Sequence, residues 1–199
     1  MHAPAQRHRP ARLACLVALP ALLLASLARA EDALGTLMQQ LGARTHAHAT
    51  FTETQSLALL KRPLESSGEL FFTPPDRLEK RTLRPKPESL VVEHDTLVLQ
   101  RGKRQLNVAL DAYPQLAPLV EGIRATLAGD RATLERVFEV QLASHDDEWS
   151  LALVPRDPQL VRIVSRLVIS GRAGEVASVE TLRAGGDRSL MRITPQEPR

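Results

Sequence analysis

The chain is poor in cysteine: the only one among its 199 residues is Cys15. That residue falls in an N-terminal stretch read below as removable, so no disulfide or thiol chemistry is expected in what remains. No serine sits in a G-x-S-x-G turn, and there is neither a phosphate loop nor a dinucleotide fingerprint. No carboxylate pair stands out for acid–base work. Asp146-Asp147-Glu148 lacks the alternating oxygens and the glycine of a calcium loop and reads as a solvated turn. His46 and His48 share a face if extended, but no third ligand follows at motif spacing. His94 and His145 fall in apparent turns. Neither a metal nor a cofactor is expected, and the missing motifs favour a protein that is not an enzyme. Beyond residue 30 no apolar run is long enough to span a membrane.

What is present begins with a leader. Arg7, Arg9 and Arg12 precede the apolar run Leu13 to Leu27, and Ala28-Arg29-Ala30 has the small-x-small pattern of a cleavage site. The pattern predicts a secretory signal peptide over 1–30, cleaved after Ala30. Cys15 precedes most of the apolar run rather than following it, which argues against lipidation there. Export places the remaining chain, 31–199, in the periplasm as one domain with a real core.

The leader also carries the basic bias. Four of the 26 basic residues (Arg7, Arg9, Arg12, Arg29) and none of the 23 acids lie in it, leaving 22 bases against 23 acids, a net of −1. A basic nucleic-acid-binding protein is therefore disfavoured.

Glu31 to Arg44 has the spacing of a helix, with Leu34, Leu37, Met38 and Leu41 on one face and acids in its first turn. Strand-like runs follow. Phe51 leads into the first, and Ser66-Ser67-Gly68 is read as a turn into Glu69 to Phe72. Pro74-Pro75-Asp76 turns into Arg77 to Leu83, Pro85-Lys86-Pro87 into Glu88 to Glu93, and His94-Asp95 into Thr96 to Arg101. Gln105 to Leu110 closes this antiparallel meander. The period then changes: Leu116, Leu119, Val120, Ile123 and Leu127 predict an amphipathic helix over 111–129, and Asp130 caps a second over 131–136. Strands return over 137–143 and at Trp149, Leu151 and Leu153. They continue over 161–170, 175–183 and 188–194. The expectation is a mainly β (α+β) fold of about eleven antiparallel strands, with helices before strand one and after strand six.

Several pieces of the meander resemble a known family. They are His48-Ala49-Thr50-Phe51-Thr52, Gly68-Glu69-Leu70-Phe71-Phe72-Thr73-Pro74-Pro75, Pro87-Glu88-Ser89-Leu90-Val91-Val92 and Asp95-Thr96-Leu97. In this order, behind a leader and one helix, the chain resembles the LolA/LolB-type periplasmic lipoprotein carriers. The resemblance implies an incomplete antiparallel β-barrel with helices lying over its open side. It also implies a carrier, likewise not an enzyme, that shields a lipid-modified protein or lipid-like cargo between an inner-membrane donor and an outer-membrane acceptor. The carrier is expected as a monomer. The candidate cavity lining is Leu37, Leu41, Phe51, Leu70, Phe72, Leu90, Val92, Leu97, Leu99, Leu119, Ile123, Trp149, Leu151 and Leu153.

Two departures from the family pattern widen the range of cargo. Pro74 stands where lipoprotein carriers often have an arginine, and aromatic residues make up only 3% of the chain. A glycolipid or polyene lipid fits as well as a lipoprotein. The alternative reading is an interaction or sensor domain of an envelope regulatory or assembly system with the same fold.

Overall fold

The protein is described from a computed structural model over residues 33–44, 47–113 and 117–196. Contacts divide the chain into Met1–Ala33 and Leu34–Arg199, and every strand belongs to the second unit. The predicted leader with its cleavage point, the first two helix residues Glu31 and Asp32, His46, Leu116 and the last three residues lie outside the described residues.

A helix over 33–42 (α1) leads to β1 (Ala47–Ser56), β2 (Leu64–Thr73), β3 (Arg77–Arg84), β4 (Glu88–Glu93), β5 (Thr96–Arg101) and β6 (Arg104–Ala109). A 3₁₀ turn (Leu110–Ala112) precedes α2 (Ala117–Ala128) and α3 (Arg131–Val137). Then come β7 (Phe138–His145), β8 (Glu148–Pro155), α4 (Pro158–Val161), β9 (Val164–Arg172), β10 (Glu175–Arg183) and β11 (Arg188–Pro195). All eleven strands form one sheet in the order β6-β5-β4-β3-β2-β1-β11-β10-β9-β8-β7. Each pairing is antiparallel. Strands β6 and β7 are the two edges, so the sheet stays open and does not close into a barrel.

Two sequence expectations need correction. Ser66-Ser67-Gly68 is not a turn but the interior of β2. The connection lies earlier, at 57–63, and Gly68 serves another purpose. The β2–β3 register shifts between Ser67 and Gly68, and a Cβ at Gly68 would stand 1.9 Å from Arg81 O and 3.0 Å from Phe51 Cε1. Glycine is needed there for a close backbone approach at a bulge. The second correction concerns the strand expected from Val161: it starts at Val164, and Val161 instead ends the segment 158–161. That segment is a helical turn whose N-cap Asp157 accepts from Gln159 N, with Pro158 in its first turn.

The solid core occupies one side of the sheet. Leu34, Leu37, Met38 and Leu41 of α1 pack with Leu134 and Val137 of α3, Phe138, Leu160 of α4, and the inward residues of β8 and β9. Two glycines let the helices approach closely. A Cβ at Gly129 would stand 2.2 Å from Met38 O, and one at Gly42 2.7 Å from Ala128 O. Gly129 also has φ of +71°, the left-handed conformation that follows the end of α2.

Candidate functional site: an apolar cavity beneath helix α2

Alternation along the strands decides what faces the helices. In β1 the inward positions are Ala47, Ala49, Phe51 and Glu53, and the outward Thr50 and Thr52 are exposed. Register carries that row across the sheet. Ala47 faces Phe72, Phe72 faces Leu78, Leu78 faces Val92, and Val92 faces Leu97. The next row runs from Ala49 to Leu70, Lys80, Leu90 and Leu99. On the other side of β1, Met191 faces Val179 and Val179 faces Ile169.

These rows do not meet the helices everywhere. Between them and α2 lies a cavity of about 430 Å³, within the size range of small-molecule sites, about 300–1,000 Å³. From the sheet it is lined by Leu70, Phe72, Leu78, Leu90, Val92 and Leu97 on one flank. Leu167, Ile169, Val176, Val179, Met191 and Ile193 line the other flank. From above it is closed by Leu119, Val120, Ile123, Thr126 and Leu127 of α2, with Leu41 at the end of α1. The Thr126 hydroxyl donates back to Gly122 O at 2.9 Å, so it needs no partner in the cavity. Gly122 sets how closely α2 sits, because a Cβ there would meet Phe138 Cε2 at 2.0 Å.

Three charged residues, Arg44, Glu79 and Lys80, border this space, and Lys80 reaches a buried partner. Lys80, on the inward face of β3, lines the cavity and places its Nζ 2.5 Å from Glu53 Oε2. The Glu53 carboxylate is buried and also accepts from Ser189 Oγ at 2.5 Å and Gln55 Nε2 at 3.0 Å. Burial pushes its pKa up. The Lys80 and Ser189 hydrogen bonds and the lysine charge outweigh this, so the carboxyl titrates below its ordinary value. Outside this network the lining is almost wholly hydrocarbon. It offers shape and desolvation with few directional bonds.

The sequence from residue 25 to 193 matches the family model described as outer membrane lipoprotein carrier protein LolA-like. The chain belongs to the LolA-like family. A curated relative, the outer-membrane lipoprotein carrier protein of Methylibium petroleiphilum, is 30% identical over 187 residues, 90% of this chain and 85% of that one. Among solved structures, a LolA superfamily protein from Nitrosomonas europaea is similar at 9% identity and a TM-score of 0.44, covering 85% of this chain and 94% of its own. MucB is similar at 16% identity and a TM-score of 0.46, over 86% of this chain and 61% of its own.

In this LolA-like chain, the candidate residues Leu41, Leu70, Phe72, Leu90, Val92, Leu97, Leu119 and Ile123 border the cavity. The others lie elsewhere. Leu37, Trp149, Leu151 and Leu153 are buried in the solid core, and the Trp149 indole N–H donates to Ala173 O at 2.7 Å. Phe51 faces inward but is covered, 2% exposed, with Lys80 over its ring. Leu99 is half-buried on β5, opposite Leu90. The sequence reading missed the flank from β9 to β11. Alternation signals Met191 and Ile193, whereas Val176 and Val179 are three apart and share the lining across a register shift between Val176 and Ser178 that alternation does not reveal. His48, considered as a metal ligand, stacks its ring on outward-facing Phe71 at 4.5 Å.

Proposed function

We propose that this chain is a periplasmic carrier that shields an acylated or lipid-like cargo in the cavity beneath α2 and hands it on toward the outer membrane. The observation that supports this reading is the hydrocarbon lining shared between the sheet and one side of α2. Exposure of acyl chains to water costs about 0.8 kcal/mol per methylene. A space lined by aliphatic side chains removes that cost without the directional bonds that would slow release. Its carrier relative from Methylibium petroleiphilum supports the same reading. On this reading the protein performs no bond-making. Its work is desolvation, with a donor at the inner membrane and an acceptor at the outer.

The test is to express the full chain with its leader, recover the protein from the periplasm, and identify extractable lipid by mass spectrometry. The recovered protein is expected to begin at Glu31 and to carry lipid. The Ile123→Asp variant, which puts a charge into the lining, should be recovered empty. A parent protein that stays empty when acylated protein, glycolipid and polyene lipid are each supplied would overturn the carrier reading.

A further inference from the structure

The charged residues are not spread evenly over the ends of the strands. Three adjacent connections, β10–β11, β1–β2 and β3–β4, leave the sheet at the same end. They and the strand residues beside them present Lys61, Arg62, Arg84, Lys86 and Arg183, all exposed and none engaged in an ion pair among the described residues. The opposite end, where β4–β5 and β7–β8 turn, presents exposed Asp95, Asp146, Asp147 and Glu148. Glu65 and Asp187 also lie at the first end and Arg172, paired with Asp147, at the second. Bases still outnumber acids at the first end and acids outnumber bases at the second, so the chain is polarised along its strands.

The basic end also carries exposed hydrocarbon. Leu59 is 98% exposed, Leu60 45% and Leu64 50%, all in or beside the β1–β2 connection, and Leu83 near the end of β3 is 55% exposed. These leucines are not on a loose tether. Ala58 N–H donates to Asp187 Oδ1 at 2.8 Å, which ties the β1–β2 connection to the β10–β11 turn, and Leu60 N–H donates to Leu57 O at 2.9 Å.

We propose that this end of the sheet docks on an anionic phospholipid surface, with Leu59 and Leu60 entering the headgroup layer and Lys61, Arg62, Arg84, Lys86 and Arg183 facing lipid phosphates. Leucines flanked by unpaired cations are the chemistry of interfacial membrane binding. A second copy of this chain fits less well, because pairing the leucines of two molecules would bring two basic ends together. The polarity of the molecule would also turn this end toward a negative surface before contact. This inference goes beyond the cargo reading and does not depend on it.

The test uses residues 31–199, which contain the compact unit Leu34–Arg199, because the apolar leader would bind lipid by itself. Sedimentation with vesicles of phosphatidylcholine alone is compared with vesicles of equimolar phosphatidylcholine and phosphatidylglycerol. Binding is expected to be at least roughly tenfold tighter on the anionic vesicles, given a favourable contribution from each base near the surface, and to weaken as salt is raised. Leu59→Asp with Leu60→Asp should abolish it. Lys61→Glu with Arg62→Glu should remove the preference for anionic lipid. Asp146→Lys with Asp147→Lys, at the far end, should leave binding unchanged. All these positions are exposed, so melting temperatures should match the parent.

No sedimentation with anionic vesicles, equal binding to both kinds, or unaltered binding by the leucine variant would overturn the proposal. So would a dimer, or a complex with an acidic protein, that depends on Leu59 and excludes vesicles. Ile123→Asp separates the two readings: it should lose cargo and still sediment with anionic vesicles.

Discussion

Lys80 Nζ stands 2.5 Å from Glu53 Oε2 while lying 4.9 Å from the centre of the Phe51 ring. One lysine thus joins a buried carboxylate to an aromatic ring beside a largely hydrocarbon cavity. Removing only the cation leaves a buried charge without its partner. Lys80→Met is therefore expected to lower stability at neutral pH by about 3 kcal/mol. The double variant Glu53→Gln, Lys80→Met should recover most of that loss. Urea unfolding of the two single variants and the double measures the coupling, and simple additivity would refute it.

The same pair gives the protein an acid limit. The Glu53 carboxyl titrates lower in the folded chain than its ordinary 4.5. The unfolded chain therefore takes up its proton first as pH falls. The stabilisation is fully present above that ordinary value and is lost as pH drops through the folded one. Thermal melts from pH 7 downward should show less acid loss in Glu53→Gln than in the parent. Some dependence should remain, because Asp130 is also held low, by the Thr133 N–H it accepts at the start of α3.

How far the sequence reveals this arrangement depends on which physical signal is local. Alternation and proline turns mark the strands from β3 to β5 almost to the residue. Asp130 marks the start of α3, because a cap acts within a few positions. Ser66-Ser67-Gly68 misleads because a turn glycine and a bulge glycine look alike until the partner strand is known. The division between solid core and cavity is not local at all. Trp149, Leu151 and Leu153 alternate as cleanly as Leu90 and Val92. They differ in what lies above them: α1 and the core around α3 and α4 fill the space over β8, while α2 stands off from β4. Pairing β1 with β11 also joins residues distant in sequence, and that pairing makes Met191 and Ile193 part of the lining.

That division separates two truncations with the same chemistry. Leu153 is fully buried at 0% exposure in the packed core, so Leu153→Ala is expected to cost about 3 kcal/mol. Leu90 is half-buried on the cavity wall, where truncation removes fewer contacts, and Leu90→Ala is expected to cost about 1 kcal/mol or less. Denaturant unfolding measures both. Equal losses would mean that the space beneath α2 is filled in solution.

The seat of α2 is set by a missing methyl. Gly122 lies in the middle of that helix and is buried against Phe138, itself 0% exposed. Exchange for alanine would ordinarily favour a helix by about 1 kcal/mol. Here the new Cβ would stand 2.0 Å from Phe138 Cε2 and 2.9 Å from Cδ2, so either the ring or the helix must move. Phe138 is enclosed by the core and cannot yield cheaply, and overpacking of this kind costs about 1–3 kcal/mol. The steric term is expected to win, so Gly122→Ala should lower the melting temperature despite its better helix propensity. Because the displaced element is the roof of the cavity, faster amide exchange should appear along Leu119 to Leu127 before it appears in β8. A more stable Gly122→Ala protein would show that the roof has slack against Phe138.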